Sequence, residues 1–241
     1  MKKIILFLLV VSWGALSGCA STLRKSPQFD AAVAGVKTIA VMPADVKVYK
    51  LTAGGVQEQM DEWSDKAKAD IQTNLKKHLG SRYGFEIKFI PEDGLKKDHK
   101  SLWTENRALY EAVAQSALMH AFSSDTNVNG FSHKAKNFDY TLGPEIQDLA
   151  RVAGADAMVF IYGFDYESTA GRKVLAVWNV LLTGYMMQTP SFMCLGLVDG
   201  KTGDVLWFKV TPGDAQYSFR EPKHLDSLIE WLTRDFLAGK K

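Results

Sequence analysis

The sequence predicts a layered α/β domain with a mixed β-sheet, and three observations carry that prediction. A branched and aromatic run at residues 158–162 follows directly on a helix stop at Gly154. Two further apolar runs flank a glycine-containing turn at residues 199–203, and helical apolar stripes alternate with strand patterns through the remaining chain. Alternation of this kind packs helices against a sheet.

The elements follow in order. Residues 36–42 include Ile39, Ala40, Val41 and Met42, a nearly continuous apolar run expected of a strand covered on both faces, and Pro43 limits it. From Val56 the apolar residues Val56, Met60, Trp63, Ala67, Ile71, Leu75 and Leu79 recur every three or four positions, one stripe of a long helix that Gly80 stops. Phe85, Ile87 and Phe89 then alternate with charged residues, the period of a strand. A second helix is expected over 102–122 with Leu102, Leu109, Val113 and Ala117 on its inner side. Residues 123–141 have neither period and read as a long loop. Gly143-Pro144 opens a short helix with Ile146, Leu149, Ala150 and Ala153 on one face. After the central strand at 158–162, the runs 192–198 and 205–210 form a hairpin, and a helix from Pro222 carries Leu225, Leu228, Ile229, Leu232 and Phe236.

The amino terminus is of a different kind. Lys2 and Lys3 precede an apolar core at residues 4–11, and the segment closes on Leu16-Ser17-Gly18-Cys19. The core is long enough for export but short of the ~20 apolar residues that a spanning helix needs. The pattern resembles a bacterial lipoprotein signal with Cys19 as the lipidated first mature residue. In such lipoproteins an Asp after the cysteine marks retention at the inner membrane. Here that position is Ala20, which implies the periplasmic face of the outer membrane. The expected organisation is a signal peptide over 1–18, a lipidated tether over 19–35 and one periplasmic domain over 36–241.

Composition narrows the function classes. Lys2 and Lys3 account for two of the 29 Lys and Arg, and residues 1–18 hold none of the 27 Asp and Glu. The chain from Cys19 onward therefore carries 27 of each sign, and a basic surface for nucleic acid is not expected. With Cys19 assigned to lipid, Cys194 has no cysteine left to pair with inside the chain. Flanked by Met193 and Leu195, it reads as a small apolar group of a strand.

Gly154-Ala155-Asp156 followed by residues 157–162 and Gly163, together with Asp199-Gly200-Lys201-Thr202-Gly203 and Trp207, resembles the structural punctuation of envelope α/β lipoproteins. That group includes the curli-export lipoprotein (CsgG) family, the lipoprotein activators of penicillin-binding proteins and the amino-terminal domain of TolB. The resemblance implies a non-enzymatic domain that binds partner proteins or assembles with copies of itself. No pair of ~10-residue alternating segments of the membrane-barrel kind is present, so a large pore is not expected.

Residues 174–187 form an almost unbroken apolar run that includes Val174, Val177, Trp178, Leu181, Leu182, Tyr185 and Met186. It is too short for an ordinary spanning helix. Two readings stand: a buried part of the core, or a surface for self-association or membrane contact.

Motifs for chemistry are weak. No Gly-x-Ser-x-Gly elbow, phosphate loop or His-Glu-x-x-His pair occurs. Gly54-Gly55, placed ahead of the long helix, is a plain turn or an anion-receiving helix start. Asp165 and Glu167, two apart with Arg172 nearby, are solvated strand-end charges or the paired acids of a small-ligand or sugar-binding enzyme. His78, His99, His120, His133 and His224 lack ligand spacing, so neither metal nor cofactor is expected. The sequence thus favours an envelope binding or assembly component over an enzyme.

Overall fold

A computed structural model describes residues 22–52, 54–80, 84–122, 131–168, 191–211 and 217–237. They form an open mixed sheet covered by helices on both faces, as the alternation predicts. The strands are β1 (Leu23–Lys25), β2 (Thr38–Val41), β3 (Asp45–Leu51), β4 (Gln57–Gln59), β5 (Glu86–Phe89), β6 (Ala157–Ser168), β7 (Phe192–Asp199) and β8 (Val205–Val210). The helices are α1 (Phe29–Ala34), α2 (Asp61–Leu79), α3 (Glu92–Asp98), α4 (Lys100–Ala121), α5 (Ser132–Lys136), α6 (Ile146–Ala153) and α7 (Pro222–Thr233).

The sheet order is β1-β8-β7-β6-β2-β5, with β3 added to β6 and β4 added to β3. Strand β6 is central, parallel to β2 and β3 on one side and antiparallel to β7 on the other. Strands β2 and β3 lie end to end along it. Val41 pairs with Val159 and Asp45 with Tyr162, so three residues, Met42, Pro43 and Ala44, span two on β6. Pro43 has no N–H to give the ladder and sits where the extra residue lets the strand bulge.

Parity along β6 divides the core in two. Ala157, Val159 and Ile161 face an aliphatic layer built with α1, α2 and α7, which contribute Val33, Ile71, Leu75, Leu228 and Ile229. Met158, Phe160 and Tyr162 face an aromatic layer built with α3, α4 and α6, which holds Trp103, Tyr110, Phe138, Tyr140 and Phe208. Gly196 on β7 leaves room for the Tyr110 ring, because a Cβ there would fall on its hydroxyl.

Several expectations need correction. The tether reading of 19–35 fails from Thr22 onward: Leu23–Lys25 pairs antiparallel with β8, and Phe29 and Val33 are buried in the aliphatic layer. The long helix begins at Asp61 rather than Val56, which is exposed. Residues 57–59 stay extended as β4, and the Met60 N–H donates to the Val48 carbonyl (2.9 Å) before the helix starts. On α4 the buried stripe is Trp103, Asn106, Tyr110, Ala114, Ala117 and Ala121, one residue round from the expected face. Leu109 is 41% exposed because the rings of Trp103 and Tyr110, stacked near Phe160, take the inner positions. Part of the expected loop at 123–141 is helix α5, with Phe138 and Tyr140 buried after it.

Other expectations hold. Helix α6 ends at Gly154, and α7 begins with Pro222 in its first turn. In the β7–β8 turn the Asp199 carboxylate accepts from the N–H groups of Lys201 and Thr202, both at 2.8 Å. Gly203 follows at φ +80°, and a Cβ there would collide with the Gly143 carbonyl.

Candidate functional site

Of the residues singled out for chemistry or contact, Asp165 and Glu167 lie at the far end of β6, beyond the reach of β2. There β6 pairs with β3 through Leu51↔Ser168, and with β7 as far as Phe164↔Phe192. Residues 169–190 connect β6 to β7 and lie outside the described residues, and with them Arg172, Val174, Val177, Trp178, Leu181, Leu182, Tyr185 and Met186. Cys19 lies outside them too.

Alternation places Asp165 and Glu167 on the aliphatic side. Asp165 is 1% exposed, not solvated as expected of a strand-end charge. Its carboxylate accepts from the Ser191 hydroxyl on one oxygen and from the Phe219 N–H (2.7 Å) on the other. The Glu167 carboxylate accepts from the Ser218 hydroxyl, and the Ser218 oxygen in turn receives the Arg220 N–H at 3.2 Å. The Arg220 guanidinium lies 3.9 Å over the Trp63 ring. The two acids therefore tie the segment before α7 to the end of β6.

Burial pushes the Asp165 carboxyl above its ordinary value. The bonds from Ser191 and Phe219 pull the other way, and the neighbouring Glu167 adds to the rise. A raised, buried carboxyl is also how a general acid presents itself. Here both its oxygens are engaged by the chain's own donors, so the arrangement serves architecture first.

The opposite side of the same strand end is aromatic. Tyr49 stacks on Tyr166 with centroids 5.2 Å apart, Tyr166 meets Phe164 at 5.5 Å, and Phe164 meets Phe192 at 5.5 Å. These four rings are half-buried and form a strip past the cover of α4. Next to it, β4 exposes Gln57, Glu58 and Gln59. In the antiparallel pairing with β3, Glu58 sits opposite Lys50 in the hydrogen-bonded register, so the backbone groups of Gln57 and Gln59 point outward from the sheet.

The remaining candidates resolve individually. Gly54-Gly55 lies in the β3–β4 turn, with Gly55 at φ +81°, and β4 separates it from α2, so it forms no helix start. Cys194 is buried, and burial pushes its thiol well up, which suits a core group rather than a nucleophile. The His78 ring meets Asp226 (2.8 Å) on α7, beside Lys77. Among the described residues no group of His, Cys, Asp and Glu is arranged to hold a metal ion, and no helix is long and apolar enough to cross a membrane. The sequence reading missed Ser191, Ser218 and Phe219 as partners of the acids. It also missed the aromatic strip, although Phe164 and Tyr166 alternate with the two carboxylates in plain view.

No family model and no curated protein matches the chain. Similar solved structures include the PelC dodecamer from Paraburkholderia phytofirmans, at 11% identity over 88% of this chain and 91% of that one, with a TM-score of 0.34. The lipoprotein GNA1162 from Neisseria meningitidis is 14% identical over 83% of this chain and 96% of its own, at 0.32. The LpoB C-terminal domain from Salmonella enterica is 11% identical over 77% and 91%, at 0.25. Scores of this size carry no argument about fold, residue or role.

Proposed function

We propose that the protein is a lipid-anchored, non-enzymatic binding or assembly component of the cell envelope, held by Cys19 at the periplasmic face of the outer membrane. The observation that carries the non-enzymatic part is the engagement of Asp165 and Glu167. The two acids best spaced for chemistry bind Ser191, Phe219 and Ser218, while the same strand end offers an aromatic strip and an outward strand edge. Surfaces of that kind suit protein partners. The anchored placement rests on Lys2, Lys3, the apolar core and Leu16-Ser17-Gly18-Cys19.

Labelled palmitate should enter the wild-type chain and not Cys19→Ala; equal labelling of both overturns the placement. Capture from detergent-solubilised membranes with Cys19 intact should recover envelope proteins or further copies of the chain. If residues 174–187 are a contact surface, Val177→Asp should convert an assembled species to monomer in gel filtration with the circular dichroism unchanged. Loss of the fold instead assigns that segment to the core.

A further inference from the structure

The described fold contains a second feature, at the opposite side of the sheet from β1. Strands β2 and β5 are adjacent and parallel, and their onward connections part company. The chain leaving β2 passes through β3 and β4 to α2 on the aliphatic face, whereas the chain leaving β5 enters α3 and α4 on the aromatic face. Open α/β sheets bind ligands at such a divergence, in the crevice beyond the carboxyl ends of the strands.

A cavity of about 250 Å³ occupies that crevice. It lies between Pro43 at the end of β2, Phe89 and Pro91 at the end of β5, and Lys68, Gln72 and Lys76 on α2. The volume is below that of a drug-sized site, so a compact ligand is required.

The lining sets the chemistry. Lys68 and Lys76 bring two positive charges to one helix face. Lys68 reaches the exposed Asp65 at 3.2 Å, while Lys76 lies 5.5 Å over the Phe89 ring with no ion pair among the described residues. Glu92, the acid in the lining, is held by Lys96 at 3.1 Å. The Gln72 side-chain oxygen is buried with no hydrogen-bond partner among the described residues, and an amide acceptor left in that state costs free energy that a donor would recover. The Pro43 and Phe89 side chains give an apolar wall.

The geometry points to a binding site for the carboxyl terminus of an N-acylated small amino acid, free or at the end of a short peptide. The carboxylate sits between Lys68 and Lys76, a turn of the Gln72 side chain brings its oxygen to the ligand's amide N–H, and a methyl-sized side chain rests on Phe89 and Pro43. Capture of a terminal carboxylate is a recurring mode of peptide recognition, here by two ammonium groups in place of backbone N–H groups. The site is separate from the strand end on which the proposed partner role rests.

The test is saturation-transfer difference NMR on the full-length protein in detergent, with N-acetylalanine, its neutral carboxamide and acetate as probes. N-acetylalanine should saturate in the range of roughly 1–10 mM, as befits so few atoms. The carboxamide should bind at least about tenfold more weakly, because the charge-assisted bonds are lost. Ala69→Leu, which fills the cavity from an exposed helix position, should abolish the signal with the melting temperature unchanged, and Lys68→Gln with Lys76→Gln should do the same. Equal saturation by acid and carboxamide overturns the proposal, as does binding that survives Ala69→Leu. Acetate as tight as N-acetylalanine also overturns it, since Gln72 and the apolar wall would then contribute nothing.

Discussion

The two faces of the sheet are built differently, and the contrast shows what each is for. The aliphatic face packs Val, Ile and Leu from β2, β3, β6 and β7 against α1, α2 and α7, the last two with inner stripes of helical period, and Trp207 and Phe236 close it edge to face at 5.2 Å. The aromatic face packs rings and sets the Tyr110 hydroxyl against the Cys194 thiol, a weak partner, while each face buries one tryptophan nitrogen with no partner among the described residues, Trp103 here and Trp207 on the other. Branched aliphatic side chains fill a layer by volume and tolerate no gap. Rings fill it by orientation, and they need special openings such as Gly196.

Four substitutions would sharpen or break that contrast. The largest effect is expected from Gly203→Ala, where the backbone is left-handed and the Gly143 carbonyl occupies the space: a loss of at least about 3 kcal/mol in chemical denaturation. A small loss would mean that the turn under the aromatic face is soft. Leu75→Ala removes a fully buried side chain from the aliphatic face and should cost about 3 kcal/mol with an unchanged denaturant slope.

Asp165→Asn keeps the acceptor for the Phe219 N–H and should cost about 1 kcal/mol at mildly acid pH. An acid held above its ordinary value binds its proton more tightly in the folded chain than in the unfolded one, so the wild type loses stability as pH rises through that range. The neutral Asn does not titrate, and the gap between the two proteins should narrow towards neutral pH. A gap that widens instead would place the ionised carboxylate among the stabilising groups. Tyr110→Phe is the smallest, within about 0.5 kcal/mol, because the hydroxyl it removes has so little to lose. A loss several times larger would show that the aromatic face depends on that hydroxyl.

The same contrast explains what could be read in advance. Helix α7, helix α6, strand β6 and the β7–β8 hairpin were legible because their apolar residues repeat with the period of one element and their ends carry glycine or proline. The inner face of α4 was not: Leu109 and Val113 satisfy the helical period as well as Trp103 and Tyr110 do, and the choice between them was made by Phe160 on another element. Strand β1 was hidden because three residues show no period and their reason to be extended is β8, far along the chain. The role of the acid pair was illegible for the same reason. Ser191 and Phe219 come to Asp165 from 26 and 54 residues away, and Ser218 comes to Glu167 from 51. Spacing identified the pair, while tertiary contact decided what it does.

Strand β1 also sets a mechanical limit. The Val210 N–H already donates to the Thr22 carbonyl at 3.0 Å, so the described fold reaches back to the third residue after Cys19. Three residues span at most about 11 Å, less than the ~16 Å radius of gyration of a domain this size. If Cys19 carries the proposed acyl chains, that leash would be too short for the domain to turn over. The β1–β8 side would then be kept towards the lipid and the β5 side away from it, so that a partner could approach from only a restricted set of directions.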